Sequence, residues 1–258
     1  MSIAENVAAV RERIADAVAR GGRESREVTL MLAAKHQPVE SLLEAVEAGV
    51  HTFGHNIVQQ LQGAVAGLRE AGVTTSNAVI GPVQSNKLRA AMDAADRIDS
   101  VDSLKTATRI ARRQEARIAE GLAEGPYPVL IQVNSSGATT QGGCAPEALL
   151  DLARAIVELG LVRVDGLMTI GANTSDEAKV RESFALTREL AERMRTLPGL
   201  ESATVLSMGM TGDLEIAVEE GSTVVRVGTA VFGERQREGT LSVYPARRIE
   251  DGAAARTW

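Results

Sequence analysis

Apolar residues recur along the chain with two different periods, and the alternation between those periods predicts a fold. Val7, Val10, Ile14 and Val18 fall at helical spacing within an amphipathic opening over residues 2–20. After it, short β-rich runs alternate eight times with longer helical patterns. The runs are residues 28–35, 51–56, 76–81, 97–101, 128–134, 162–170, 203–209 and 223–232. Helical stretches between them are led by Val39, Ile57, Ser85, Ser103, Pro146, Ser175 and Asp213, several after turn or cap-forming residues such as Pro38, Asn56, Asp102 and Thr174.

The run Val129-Leu130-Ile131-Gln132-Val133 and the run Val224-Val225-Arg226-Val227 are almost continuously apolar, as expected of parallel strands covered by helices on the outside. Eight βα units without a recognisable linker predict one closed (β/α)8 TIM-type barrel over residues 1–233, with an extra N-terminal helix. Residues 234–258 mix Arg, Glu, Gly and Pro without a sustained period and predict a flexible tail.

Composition narrows the class of partner. Of the 258 residues 44% are hydrophobic and only 2% aromatic, so the core falls to Ala, Val, Leu and Ile, and base-stacking platforms are nearly lacking. A net charge of -6 argues further against nucleic acid. One cysteine, Cys144, and three scattered histidines give no intramolecular disulfide and no metal-ligand spacing. The N-terminus carries neither a basic stretch nor an apolar run, and no segment reaches the length of a membrane span, so a cytoplasmic protein without a membrane partner is expected.

Chemistry in such barrels gathers at the C-terminal ends of the strands. The first run delivers Lys35 there, where a partly desolvated lysine can serve as an amine nucleophile toward an aldehyde; the other reading is a solvated strand-end lysine. The seventh run ends in Leu206-Ser207-Met208-Gly209-Met210-Thr211-Gly212-Asp213, a glycine loop that either binds an anion through freed amides or only shapes a turn. Arg226, in an otherwise apolar strand, needs a partner, either a core carboxylate or a ligand acceptor. Asn56 and Ser85 read singly as helix caps, and His55 as a solvated loop histidine unless it touches a ligand.

Together these segments resemble the pyridoxal phosphate homeostasis protein family across residues 3–235. Residues 206–233, Leu-Ser-Met-Gly-Met-Thr-Gly-Asp through Val-Val-Arg-Val-Gly-Thr-Ala-Val-Phe-Gly, look like its signature almost residue for residue. Ala34-Lys35, Phe53-Gly54-x-Asn56, Gln84-Ser-Asn-Lys87 and Gly166-Leu-Met-Thr169 add to the match. The resemblance implies a fold-type III barrel, like the N-terminal domain of alanine racemases, holding pyridoxal 5′-phosphate as an imine on Lys35. It implies a phosphate against Ser207, Gly228 and Thr229, with Met208 and Gly209 beside it. It also implies Arg226 at the pyridine nitrogen and Asn56 near the ring or the imine. The chain departs from the pattern at His55, where the family usually has Glu, and at Asn77-Ala-Val-Ile-Gly-Pro82, where it usually reads Trp-His-Phe-Ile-Gly-His. His36-Gln37 replaces the Ser or Thr common after the lysine.

Two functions compete. One is a non-enzymatic, monomeric protein of cofactor homeostasis that stores, buffers or delivers pyridoxal phosphate, with apo-enzymes as recipients. The other is a fold-type III enzyme acting on amino acids, racemase-like. Racemisation on this scaffold takes a second base, a tyrosine from a following β-domain, and only Tyr127 and Tyr244 are available here. Tyr127 falls at the wrong end of its strand and the 26 residues after the last run are too few for such a domain, which favours the carrier.

Overall fold

Ser2 starts the first helix with a reciprocal cap. Its hydroxyl accepts from the Glu5 amide while the Glu5 carboxylate accepts from the Ser2 amide, and α1 runs from Ile3–Arg20 with Val7, Val10, Ile14 and Ala17 buried. Such a cap contributes on the order of 1 kcal/mol. The computed structural model describes residues 1–22 and 28–233. The expected tail, with Tyr244, lies outside the described residues.

Eight parallel strands follow in sequence order and close on themselves: β1 (Thr29–Ala33), β2 (Thr52–His55), β3 (Ser76–Val79), β4 (Arg97–Val101), β5 (Tyr127–Gln132), β6 (Val162–Met168), β7 (Val205–Ser207) and β8 (Val224–Val227), with β8 pairing back onto β1. The helices are α2 (Val39–Glu47), α3 (Val58–Glu70), α4 (Leu88–Ala94), α5 (Leu104–Ala119), α6 (Leu149–Val157), α7 (Glu177–Met194), α8 (Leu214–Glu219) and α9 (Thr229–Phe232). The barrel expected from the alternating periods is the one observed. The eighth run is the exception in detail, since its strand stops at Val227 and Gly228 turns the chain into the single turn of α9.

Strand alternation divides the apolar residues between two layers. Leu30, Leu32, Phe53, Val225 and Val227 pack outward against α1, α2 and α3, and Ile98, Val129, Ile131 and Leu167 do the same around the rest of the barrel. Each such side chain, fully buried, contributes about 1.5–3 kcal/mol from apolar area alone. Met31, Ala78 and Val224 face one another as a small separate cluster. β6 carries an extra residue between its pairings Val129↔Val164 and Leu130↔Gly166. Gly166, at φ 155, then passes so close to β7 that a Cβ there would lie 1.9 Å from the Val205 carbonyl oxygen. Only glycine closes the barrel at that point.

α1 is a strut as well as a cover. Arg13 grips the Glu215 carboxylate through Nε and an NH2 group at 2.6 and 2.9 Å, and the same NH2 group donates to the Thr211 carbonyl at 2.9 Å. Asn6 donates to the Val231 carbonyl at 2.9 Å. The first helix thereby ties down the turns that follow the last two strands. Among the described residues no helix is long and apolar enough to cross a membrane.

Candidate functional site

β1 and β8 are neighbours, so the lysine at the end of the first strand and the glycines at the end of the last meet at one rim. The register Leu32↔Val227 sets Ala33 beside Gly228, and a Cβ on Gly228 would meet the Ala33 Cβ at 3.5 Å. The Ala34 amide extends the ladder onto β2 by donating to the Gly54 carbonyl at 2.9 Å. Lys35 follows at once, half-buried, and its amine has neither a hydrogen bond nor an ion pair among the described residues. Lys35, Gly228 and Thr229 thus lie at one rim.

Arg226 lies inside the barrel, 5% exposed, opposite Met31 in the register. One NH1 group donates to both the carbonyl and the hydroxyl of Ser207, at 2.6 and 2.8 Å, and NH2 donates to the Thr169 carbonyl at 2.7 Å. These partners are neutral, so the two alternatives left open by the sequence resolve against a direct ion pair. Asp99 and Asp213 act on the guanidinium only through space. Burial pulls its pKa down to about 10, against the two carboxylates, and it stays a cation at neutral pH. Nε finds no acceptor among the described residues. A donor so placed invites one.

Loop amides at the same rim are left open. Among the described residues the N–H groups of Gly209, Gly228 and Thr229 have no acceptor. The Thr229 hydroxyl donates to that of Thr211 at 3.3 Å, joining the two loops. Asp213 closes the glycine loop by accepting from the Met210 amide at 2.6 Å, and burial raises its carboxyl above the usual range. Gly209 has φ 93, and a Cβ there would stand 2.5 Å from the Ala217 Cβ, so glycine lets the loop lie flat on α8.

The other expected residues are less alike. Ser207 is fully buried beneath Arg226, its hydroxyl proton still available to give. Met208 packs into the core and its amide donates to the Val224 carbonyl, so it offers a ligand no donor. Asn56 is exposed at the rim and caps nothing, the N-cap of α3 being Ile57; its backbone rests on Gly81, where a Cβ would come within 2.8 Å of the Asn56 carbonyl oxygen. Ser85 does not cap a helix either, since it opens a 3-10 turn and holds Arg109.

His55 corrects the sequence expectation. It is no solvated loop residue: it is 2% exposed at the end of β2 and shares a hydrogen bond with Asn77. It sits next to Gly54, which faces Met31 and Ile80, and alternation turns His55 to the opposite, helix-covered side. Thr211, Thr169 and the Arg13 strut were not singled out as parts of the site by sequence. A hydroxyl within the glycine loop was the visible signal for Thr211; a carbonyl acceptor and a strut from a distant helix leave none.

A cavity of about 740 Å³ opens at the other end of the barrel, lined by Thr29, Thr52, Ser76, Arg97, Asp165 and Thr204 among others. Its position at the strand N-termini sets it apart from the lysine rim. A smaller cavity of about 520 Å³ borders the glycine loop at Met210, Gly212 and Asp213. Among the described residues no three His, Cys, Asp or Glu side chains gather to hold a metal.

Known proteins share this architecture. The alanine racemase N-terminal domain family matches residues 2–236. The pyridoxal phosphate homeostasis protein of Pseudomonas aeruginosa is 40% identical over 234 residues, covering 91% of this chain and 96% of its own. That of Escherichia coli K12 is 37% identical over 238 residues, covering 90% and 97%. PipY of Synechococcus elongatus, solved with PLP bound, superposes with a TM-score of 0.76 at 31% identity, over 90% of this chain and all of its own. An alanine racemase of Clostridium difficile, at 14% identity and a TM-score of 0.68 over 56% of its length, shares the fold.

Proposed function

The chain belongs to the pyridoxal phosphate homeostasis protein family, and on that footing we propose that it binds pyridoxal 5′-phosphate through Lys35 and stores, buffers or delivers it. The observation that carries the assignment is the unpartnered Lys35 amine at the same rim as the open amides of Gly228 and Thr229.

When bound, the cofactor supplies an aldehyde that joins amines as imines and a pyridine ring that draws electrons from what is attached to it. Each part has a fitting residue. Lys35 offers the amine for the linkage. Gly209, Gly228 and Thr229 offer N–H donors to the phosphate, and the Ser207 hydroxyl adds one more; the Thr229 hydroxyl gives its proton to Thr211 and ties the two loops, and Met208 gives the loop its footing in the core. Arg226, its terminal nitrogens fixed by Ser207 and Thr169, keeps Nε for the ring nitrogen. Asn56, just after β2, would lie near the ring or the imine.

Arg226 also argues for a carrier. A permanent cation beside the ring nitrogen opposes its protonation and so weakens the ring as an electron sink. Carbanion chemistry is disfavoured in consequence. Among the described residues Tyr127 is the one tyrosine, and its hydroxyl donates to the Ala95 carbonyl at 2.9 Å from the first position of β5, the end of the barrel away from Lys35. It cannot act as a racemase's second base. We assign the protein to the cytoplasm as a monomer, with residues 1–233 as the binding unit, residues 234–258 as a tail, and apo-enzymes as recipients.

Borohydride reduction of the holoprotein followed by peptide mass analysis tests the assignment. A cofactor adduct on the Lys35 peptide is expected, absent from Lys35→Ala; an equal adduct in that variant would refute the choice of lysine. Exchange of the α-proton of alanine in deuterated water at enzyme-like rates would sink the carrier function.

A further inference from the structure

The turn that carries Lys35 is held in a form its sequence does not favour. The Gln37 amide donates to the Ala34 carbonyl at 3.2 Å, which makes Lys35 and His36 the central residues of a tight turn. His36 has φ 61 and is the sole non-glycine residue with a positive φ among the described residues. That position in a turn with positive φ is ordinarily filled by Gly or Asn, because a Cβ is crowded there. Such a conformation persists only when the surroundings impose it.

Gln60, from the first turn of α3, imposes it. Its Oε1 accepts from the His36 backbone N–H at 3.0 Å, and its Nε2 lies 2.7 Å from His36 Nδ1. The backbone N–H can only donate, so Oε1 must face it. Nε2 is then left to donate, and Nδ1 must be the bare, accepting nitrogen of a neutral imidazole. α3 is itself anchored by Val58, Leu61, Ala64 and Val65 in the core.

We propose that Gln60 and His36 form a latch that sets the direction of the Lys35 amine, both acting as positioning residues for the cofactor linkage. The proposal rests on Lys35 being the linking amine, as argued above. Without the latch, His36 relaxes toward negative φ, the peptide between Lys35 and His36 rotates, and the amine leaves the line toward Gly228. The phosphate donors on β7 and β8 are untouched by that change.

Two ligands separate positioning from general support: pyridoxal 5′-phosphate, which engages both lysine and phosphate loop, and pyridoxine 5′-phosphate, which lacks the aldehyde. In full-length Gln60→Ala, affinity for the first should fall on the order of tenfold, the scale of one strained backbone residue. Imine absorbance should fall with it, and affinity for the second should stay within about twofold. Gly adopts positive φ unaided, so His36→Gly should bind like the wild type, and Gln60→Ala added to it should change little. Equal weakening of both ligands by Gln60→Ala, no weakening, or an undiminished effect of Gln60→Ala in the His36→Gly background would each overturn the latch. Absence of any Lys35 adduct in the wild-type protein would instead remove the premise, whereas a normal wild-type adduct with an indifferent Gln60→Ala removes the latch alone.

Discussion

His55 Nε2 and Asn77 Oδ1 stand 3.0 Å apart, buried behind β2 and β3. Asn77 Nδ2 donates to the carbonyl and hydroxyl of Thr75, at 3.2 and 2.9 Å, so Oδ1 is the atom that accepts from His55. The imidazole proton is therefore on Nε2. These residues occupy two of the positions at which the chain departs from its family's usual pattern, and each is the other's partner. Neither faces the lysine rim, which explains how both can change without touching it.

Replacing one member alone should expose that pairing. Asn77→Leu leaves a buried imidazole N–H without an acceptor and is expected to destabilise the fold by about 1–3 kcal/mol. The double variant with His55→Phe should lose less than the two single changes added together, by urea unfolding. Strict additivity would mean the hydrogen bond does not couple the residues.

The same histidine makes stability depend on pH. Burial lowers the His55 pKa below its ordinary 6.5, outweighing the Asn77 bond that raises it. The unfolded chain therefore takes up the proton first as pH falls. The stability conferred by the neutral ring is complete above about 6.5 and is lost progressively as pH drops below that value toward the lowered folded one. Urea midpoints at about pH 7.5 and 5.5 should differ more for the wild-type protein than for His55→Gln. An equal difference would show that His55 does not titrate on unfolding.

Two glycines should respond differently to the same added methyl group. Gly166→Ala drives a Cβ into the backbone of β7 at 1.9 Å and is expected to prevent soluble folding. Gly209→Ala, at φ 93, brings its Cβ to 2.5 Å from the Ala217 Cβ, a contact that the loop can relieve by lifting off α8. It should fold with a loss of about 1–3 kcal/mol and bind pyridoxal phosphate several-fold more weakly, because the loop amides move. Circular dichroism and ligand titration read the two outcomes; unchanged affinity in Gly209→Ala would detach that loop from the phosphate.

Arg13→Ala removes the strut beneath Thr211 while leaving every proposed ligand contact in place. Affinity for pyridoxal phosphate should fall several-fold, with affinity for pyridoxal, which has no phosphate, unaltered. Equal losses for both would place the effect elsewhere than in the phosphate loop.

The barrel was legible because periodicity reports which faces are buried, and the eight strands recur where the apolar runs lie. Lys35 and the glycine loop after β7 were legible from the residues because strand ends in a barrel share one rim, whereas Gly228 and Thr229 came only with the family resemblance, since the eighth apolar run reads on to residue 232 with no visible end at Val227. His55 was misread for the same reason it is buried: one step of strand alternation carries a polar side chain from rim to helix layer, and polarity alone does not reveal that step. Met208 lay within a matching motif, yet its side chain serves the core. Partners such as the Thr169 carbonyl leave no mark in a sequence, since every residue owns one.

The hydrogen bond from Asn6 to Val231 spans 225 positions of chain. On the ribosome, α1 emerges well before β8, and although β1 and α2 cover part of its apolar face early, the remainder and the closure of the barrel wait for α8 and β8. A nascent or truncated copy ending before β8 would present α1 and the open edges of β1 and β7 to solvent, and would be a substrate for chaperones or proteases before it was ever a keeper of cofactor.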